Sequence, residues 1–131
     1  MKFILFLGRA CFSAIFIVAS LGHFVDETIH YAASHGVPNP EILVPLSGVM
    51  ALLGGLSIFF GYKARFGAWL IVLFLIPVTY KMHNFWDAQD PMIAVIEQIM
   101  FFKNISMLGG AIILTYFGSG PMSIDYKNQA A

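Results

Sequence analysis

Four apolar stretches in this chain are each long enough to cross a lipid bilayer. They cover residues 4–24, 42–61, 66–85 and 99–117, and the hydrocarbon core of a bilayer, about 30 Å thick, requires roughly 20 helical residues. A chain in lipid must satisfy its backbone hydrogen bonds internally, which restricts these stretches to helices. The sequence therefore predicts an all-α, polytopic membrane protein, built as a single four-helix bundle over residues 1–131.

Composition and charge agree with this class and argue against others. The chain is 59% hydrophobic and 11% charged, whereas soluble domains are about 45 to 50% apolar and about 25% charged. A formal net charge of zero gives no indication of nucleic-acid binding. Cys11 is the one cysteine, which excludes an intrachain disulfide and a C-x-x-C redox pair. The expected surroundings are the lipid bilayer.

Short polar or turn-forming segments separate the apolar stretches. Gly and Pro interrupt the chain at residues 36–40, and residues 61–65 form a predicted tight turn between the second and third helices. Asp90 followed by Pro91 is typical of an N-cap and a first helical position. The predicted helices are therefore about 4–24, 42–61, 66–85 and 91–117.

The basic residues predict an orientation in the membrane. With four spans, one side carries five of the seven basic residues, and the other carries six of the seven acidic ones. The five are Lys2, Arg9, Lys63, Arg65 and Lys127. Since cytoplasmic loops are enriched in Lys and Arg, we expect a multi-pass protein of the bacterial inner membrane with both termini in the cytoplasm. A cleavable signal peptide is the alternative for the first segment, but Arg9 interrupts its apolar run, which favours an uncleaved helix.

Lys103 and Asn104 are polar residues inside the fourth apolar stretch, where they indicate a function or a special packing role. Lys103 is close enough to the outer boundary to extend its ammonium group to the lipid head groups. In that case the lysine would have no functional role. Asn104 is too short for this, and its amide would be unpaired against lipid. We therefore predict that both residues point into the bundle.

Other polar candidates collect on the predicted outer side. His83 and Trp86 end the third helix, Glu97 lies early in the fourth, and His23 ends the first. Together with Lys103 and Asn104 they define a candidate pocket, in which His83 is a candidate proton shuttle. Trp86 also suits the aromatic belt at a membrane boundary.

Two further pairs of polar residues, Glu27 with His30 and Arg9 with Asp125, each suggest a specific interaction. Glu27 and His30 have the Glu-x-x-His spacing of di-iron bundle sites, but the chain holds no second such pair, and we expect no metal there. His23, Glu27 and His30 share a face only if the first helix continues past Phe24. Arg9 and Asp125 lie near the same membrane face, where we predict a structural ion pair that closes the bundle.

Several motifs together resemble the DoxX family of small four-helix membrane proteins. They are Gly8-Arg9, the loop at 36–40, the turn at 61–65, His83-Asn84-Phe85-Trp86, Phe102-Lys103-Asn104 with Gly109-Gly110, and residues 118–125. The resemblance implies that Arg9, His83, Trp86, Lys103, Asn104 and Asp125 belong to family motifs. It does not imply a reaction, because most bacterial members have none assigned and some are associated with thiol and oxidative-stress systems. His23 departs from the many members that have lysine there.

Two classes of function remain open from the sequence, with a third as an outsider. The first is an accessory membrane subunit, linked to redox or oxidative-stress systems, that binds a partner protein or a second copy of itself. A lipid-like molecule is a further ligand considered for this class. The second is a quinone-binding oxidoreductase component with a pocket open to the outer side. The outsider is a small proton-coupled transporter. No complete catalytic or cofactor-ligand set is evident, so the sequence does not identify an enzyme.

Overall fold

The computed structural model describes residues 2–130, which form six α-helices and two short 3₁₀ turns without any strand. The turns are Leu21–Phe24 and Phe85–Asp87. The helices are α1 (Lys2–Ser20), α2 (Asp26–Ser34), α3 (Pro40–Phe60), α4 (Ala64–Met82), α5 (Pro91–Phe117) and α6 (Ile124–Ala130). The all-α prediction is confirmed.

Four segments are long and apolar enough to cross a membrane: Lys2–Phe24, Pro40–Phe60, Ala64–Asp87 and Pro91–Phe117. The first includes the 3₁₀ turn that follows α1, and the third includes the turn that follows α4. The predicted bundle of four spans is therefore confirmed. The start of α5 has the predicted cap, because the Asp90 carboxylate accepts a hydrogen bond from the backbone N–H of Met92 at 2.7 Å.

The two central helices of the bundle are α3 and α4. Helix α1 packs on α3, α3 packs on α4, and α4 packs on α5. The core between them is apolar and draws on all four helices, including Phe16, Ile58, Ile71, Leu75 and Ala111. Much of the remaining apolar surface is exposed, as expected where lipid replaces water as the surrounding medium.

Helices α3 and α4 approach closely at a pair of glycines. A Cβ added at Gly54 would lie 2.9 Å from the carbonyl oxygen of Gly67, and one added at Gly67 would lie 3.0 Å from the carbonyl oxygen of Gly54. Small residues at such crossings allow the backbones to meet, which increases van der Waals contact where lipid offers no hydrophobic driving force. This contact fixes the distance between the two central helices.

Contacts between the connecting segments define two ends of the bundle. The terminal end contains the start of α1, the turn between α3 and α4, and residues 118–126. The loop end contains α2, residues 35–39 and residues 83–90. Hydrogen bonds between Arg9 and Met122 lie at the terminal end, and those between His23 and Ser47 lie at the loop end.

Candidate functional site

A cavity of about 560 Å³ opens at the loop end between α2, α3 and α4. Most of its wall is apolar. The apolar lining residues are Ala32, Val37, Pro38, Leu43, Val44, Leu46, Met50, Leu73, Phe74, Pro77, Val78 and Met82. Polar side chains on the same wall include His23, Tyr31, Lys81 and His83. An apolar cavity with a few polar groups is the usual form of a small-molecule site.

His23 is held in one orientation on the wall of the cavity. The Ser47 hydroxyl donates to the Val44 carbonyl at 2.7 Å, so its oxygen is left to accept from His23 Nδ1, which lies 2.8 Å away. Nδ1 also lies 3.3 Å from the Val44 carbonyl oxygen, which only accepts. These partners assign the proton to Nδ1, and Nε2 then carries the lone pair of the neutral ring.

Gly48 is the reason that the His23 turn can pack so tightly on α3. A Cβ at position 48 would lie 2.6 Å from the Cβ of His23 and 3.2 Å from the carbonyl oxygen of Ser20. The His23 ring also packs on Phe74 of α4, with ring centroids 5.6 Å apart. The small residue on α3 therefore allows a polar side chain to lie on the wall of the cavity.

His83 and Glu97 form a hydrogen-bonded pair at the mouth of the cavity. Nδ1 of His83 lies 2.7 Å from Oε2 of Glu97, and the two side chains are 23% and 16% exposed. The contact joins the residue that follows α4 to the second turn of α5. Both residues belong to the candidate pocket named from the sequence, and His83 itself lines the cavity.

Tyr31 belongs to the same group, although the sequence did not single it out. It lies on α2 with Thr28 and Ala32, which also line the cavity and share a helix face through their spacing of three and four residues. Burial and, secondly, the negative charge of Glu97 raise the pKa of Tyr31 above its ordinary value. The spacing of these three residues is the sequence pattern from which a role for Tyr31 could have been predicted.

Lys103 does not point into the bundle, contrary to the prediction. Its side chain is exposed, and its ammonium group lies 3.0 Å from the Met100 sulfur. Asn104 is 5% exposed and does face the bundle. The reason is the narrow buried face of α5, the least buried of the four spans: adjacent residues are about 100° apart around the axis, and this face includes Asn104 but not Lys103.

Trp86 also lies outside the cavity wall. Its ring is 48% exposed and packs with Tyr80, Phe85 and Phe101 at centroid distances of 5.7, 5.2 and 5.8 Å. These rings form a cluster near one end of α4 and α5, which matches the aromatic belt considered for Trp86. Of the six candidate pocket residues, His23 and His83 line the cavity, and Glu97 reaches it through His83.

The shared face of His23, Glu27 and His30 does not form. Val25 has an extended backbone conformation (φ −98°, ψ 133°) and ends the 3₁₀ turn before α2 begins. His23 therefore lies on a different element from Glu27 and His30, which are exposed. Residues 2–130 contain no group of three or more His, Cys, Asp or Glu side chains arranged to hold a metal ion.

Arg9 and Asp125 do not form the predicted bidentate pair. Arg9 is 4% exposed, and its guanidinium donates to the carbonyl oxygens of Ser119, Pro121 and Met122, the last at 2.7 Å. Both residues do lie at the terminal end and hold it closed. The reason is competition: three carbonyls on the segment after α5 accept from Nη1 and Nη2 of Arg9, and backbone N–H groups take up both oxygens of Asp125.

Asp125 instead caps the start of α4. Its two carboxylate oxygens accept from the backbone N–H groups of Lys63 and Ala64 at 2.8 and 3.0 Å, and its own N–H donates to the Gly61 carbonyl at 2.8 Å. A carboxylate at a helix N-terminus accepts hydrogen bonds from backbone N–H groups that have no partner within the helix, and its negative charge interacts favourably with the helix dipole. The cap fixes the start of α6 against the turn between α3 and α4.

These features define a small membrane protein whose four-helix bundle contains an apolar cavity at one end. The DoxX family model matches residues 4–84, more than half of the chain. The chain belongs to the DoxX family, as its motifs indicated.

Curated relatives extend the similarity to nearly the whole chain. The inner membrane protein YphA of Escherichia coli is 27% identical over 95% of this chain and 89% of its own length. The inner membrane protein YqjF of the same organism is 30% identical over 91% and 87%. The ER-derived vesicles protein ERV29 of Saccharomyces cerevisiae is 26% identical over 62% of this chain but only 26% of its own. No solved structure matches significantly.

Proposed function

We propose that this DoxX protein binds a lipophilic ligand with a polar head group, of the quinone class, in the cavity at the loop end. The observation that carries the proposal is the cavity itself, about 560 Å³ in volume, with mostly apolar walls. Ligand sites commonly have volumes of about 300 to 1,000 Å³ and combine apolar walls with a few polar groups. A quinone, with two ring oxygens and an apolar tail, matches this combination of a few polar groups and apolar walls.

The polar groups of the cavity suit a ligand that gains or loses protons. The Tyr31 hydroxyl and the Lys81 ammonium group are hydrogen-bond donors for ring oxygens, and the His23 Nε2 lone pair is an acceptor. His83 is bonded to Glu97 at 2.7 Å through Nδ1, and its other ring nitrogen can donate or accept a hydrogen bond. In this role the protein is an accessory subunit of a redox or oxidative-stress system, and it positions the ligand for a partner.

The same proposal places the protein in a bacterial inner membrane with both termini in the cytoplasm. Lys2, Arg9, Lys63, Arg65 and Lys127 lie on or next to the terminal end, and excess Lys and Arg mark the cytoplasmic side. The names of the two Escherichia coli relatives support the inner membrane. The cavity then opens toward the outer side.

A ligand extraction and a titration test the binding function. Lipids extracted from gently solubilised protein and analysed by mass spectrometry should contain a quinone in molar proportion to the protein. A short-chain benzoquinone added to delipidated protein should bind, and Lys81→Met should weaken binding because Lys81 lines the cavity.

Lys103→Met is the matched control for the titration. It removes the same charge from an exposed lysine that contacts Met100, outside the cavity wall. We expect unchanged quinone binding in this variant. Equal weakening by both substitutions, or absence of quinone from repeated extractions, would reject the binding site.

The partner role has its own supporting observation in α5. This helix is the least buried of the four spans, with 11% of its apolar stretch buried. A Cβ added at Gly109 would meet nothing within 4 Å. An open small residue on a spanning helix suits close packing against another membrane helix. In a Cys11→Ser background, a Gly109→Cys variant should crosslink to a partner helix in native membranes; recovery of monomer alone would reject this role.

A further inference from the structure

We propose that the terminal end of the bundle binds the phosphate group of an anionic phospholipid in a second cavity, independent of the site at the loop end. This cavity has a volume of about 540 Å³ and lies between the start of α4 and residues 117–126. Its lining includes the basic residues Lys63 and Arg65, and the aromatic residues Phe66 and Phe117. None of these four side chains lines the loop-end cavity of the quinone proposal.

The charges around this cavity favour an anion. Asp125 also lines it, but both of its oxygens already accept hydrogen bonds from the backbone of Lys63 and Ala64. Within residues 2–130, His83 and Glu97 form the one ion pair closer than 4.0 Å. The side chains of Lys63 and Arg65 therefore have no carboxylate partner in the described chain, and their two positive charges exceed the single negative charge of Asp125 in the cavity lining.

Arg65 is positioned on the cavity wall by the backbone of Gly118. A Cβ at Gly118 would lie 3.3 Å from Nε of Arg65 and 3.6 Å from its Cγ, and the glycine has a positive φ of 72°. The absence of a side chain at position 118 lets the arginine lie along the backbone. The planar guanidinium has the geometry that binds phosphate oxygens in pairs.

Exposed aromatic rings beside the basic groups favour a phospholipid over free phosphate. Phe66 and Phe117 are 63% and 72% exposed, and they belong to the spanning segments of α4 and α5. A phospholipid head group at Lys63 and Arg65 would direct its acyl chains along these rings. A basic residue close to an anionic lipid head group is worth about 1 kcal/mol, and Lys63 and Arg65 are the basic residues that line this cavity.

Native mass spectrometry of the full chain in mild detergent tests this site. We expect phosphatidylglycerol to bind more tightly than phosphatidylcholine, and Arg65→Gln to weaken phosphatidylglycerol binding about fivefold, which corresponds to about 1 kcal/mol. Lys127→Gln is the matched control, because it removes a charge at the same end from an exposed residue of α6 that does not line the cavity. It should leave binding unchanged.

A competition with inorganic phosphate separates the two sources of the anion. Phosphate at millimolar concentration should not displace phosphatidylglycerol, because it lacks the acyl chains that contact Phe66 and Phe117. Equal losses in Arg65→Gln and Lys127→Gln, equal binding of the two lipids, or displacement by phosphate alone would overturn the phospholipid assignment.

Discussion

His83 and Glu97 are 14 residues apart in the sequence, and their side chains meet at 2.7 Å between Nδ1 and Oε2. The contact ties the end of α4 to α5 beside the mouth of the loop-end cavity. It also brings the charge of Glu97 near Tyr31 of α2. Three elements that are separate in the sequence thus contribute to one polar group.

Loss of the Glu97 carboxylate should destabilise the connection between α4 and α5. We expect Glu97→Ala to lower the free energy of unfolding by about 1 kcal/mol, because it removes a hydrogen bond between partly buried groups. Glu97→Gln should cost less, since its amide oxygen still accepts from His83. Unfolding in SDS measures both values, and a smaller loss in the alanine variant would contradict the contact.

The titration of Tyr31 should depend on Glu97. Burial, followed by the charge of Glu97, raises the pKa of Tyr31 above the ordinary 10.0, so Glu97→Gln should lower this pKa part of the way back. The difference in tyrosinate absorbance between protein with Tyr31 and its Tyr31→Phe counterpart measures this pKa.

The raised Tyr31 pKa also gives the sign of a pH effect on stability. The unfolded chain loses the Tyr31 proton at lower pH than the folded chain, so the contribution of Tyr31 is complete below about pH 10 and is lost as pH rises through the folded pKa. The Tyr31→Phe variant should therefore lose less of its free energy of unfolding than the unmodified protein as the pH rises above about 10. A Tyr31 pKa that does not respond to Glu97→Gln would contradict the arrangement.

Arg9 and Asp125 should act on stability through different partners. Arg9→Ala should cost about 2 to 3 kcal/mol, because it leaves three backbone carbonyls without their donor. Asp125→Asn should cost about 1 kcal/mol, because the amide keeps only one of the two oxygens that accept from the backbone at the start of α4. Both are measured by unfolding in SDS.

The decisive comparison is Asp125→Asn in the Arg9→Ala background. If Asp125 acts as a helix cap, it should still cost about 1 kcal/mol there. If the two residues were an ion pair, removing the arginine would leave an unpaired carboxylate, and Asp125→Asn would then be neutral or stabilising. A neutral or stabilising effect would therefore contradict the cap and support the ion pair that the sequence predicted.

The crossing of α3 and α4 should tolerate no side chain at Gly67. A Cβ there would lie 2.4 Å from both the Cβ and Oγ of Ser57 and 3.0 Å from the Gly54 carbonyl oxygen, so Gly67→Ala should separate the helices and cost more than about 1 kcal/mol. Gly109→Ala, where nothing lies within 4 Å, is the control and should be neutral or stabilising by up to about 1 kcal/mol. Equal effects would contradict the close approach.

The sequence predicted the spanning helices well because apolar length in lipid leaves few alternatives. It also grouped His83 and Glu97 in one candidate pocket, and their side chains do meet. It could not predict the direction of Lys103, which depends on the rotation of α5 about its axis. Nor did it identify Tyr31, because the break at Val25 and the path of α2 back onto α3 are set by tertiary contacts.

The same limit explains the prediction for Arg9 and Asp125. Opposite charges at one membrane face predict an ion pair, and the charges are indeed at one end of the bundle. Their partners, however, are backbone groups of residues 61–64 and 119–122, whose directions follow from turns with positive φ at Lys63, Met122 and nearby glycines. Backbone groups of turns are not visible in a pattern of residue types.

Quinone binding by a pair of tryptophan variants on α3 tests the central claim most directly. Met50 lines the loop-end cavity, whereas Leu53 on the same helix is 53% exposed and lies outside it. Met50→Trp should fill the cavity and reduce binding of a short-chain benzoquinone at least tenfold, while Leu53→Trp should bind like the unmodified protein. Undiminished binding by a folded Met50→Trp variant would contradict the account.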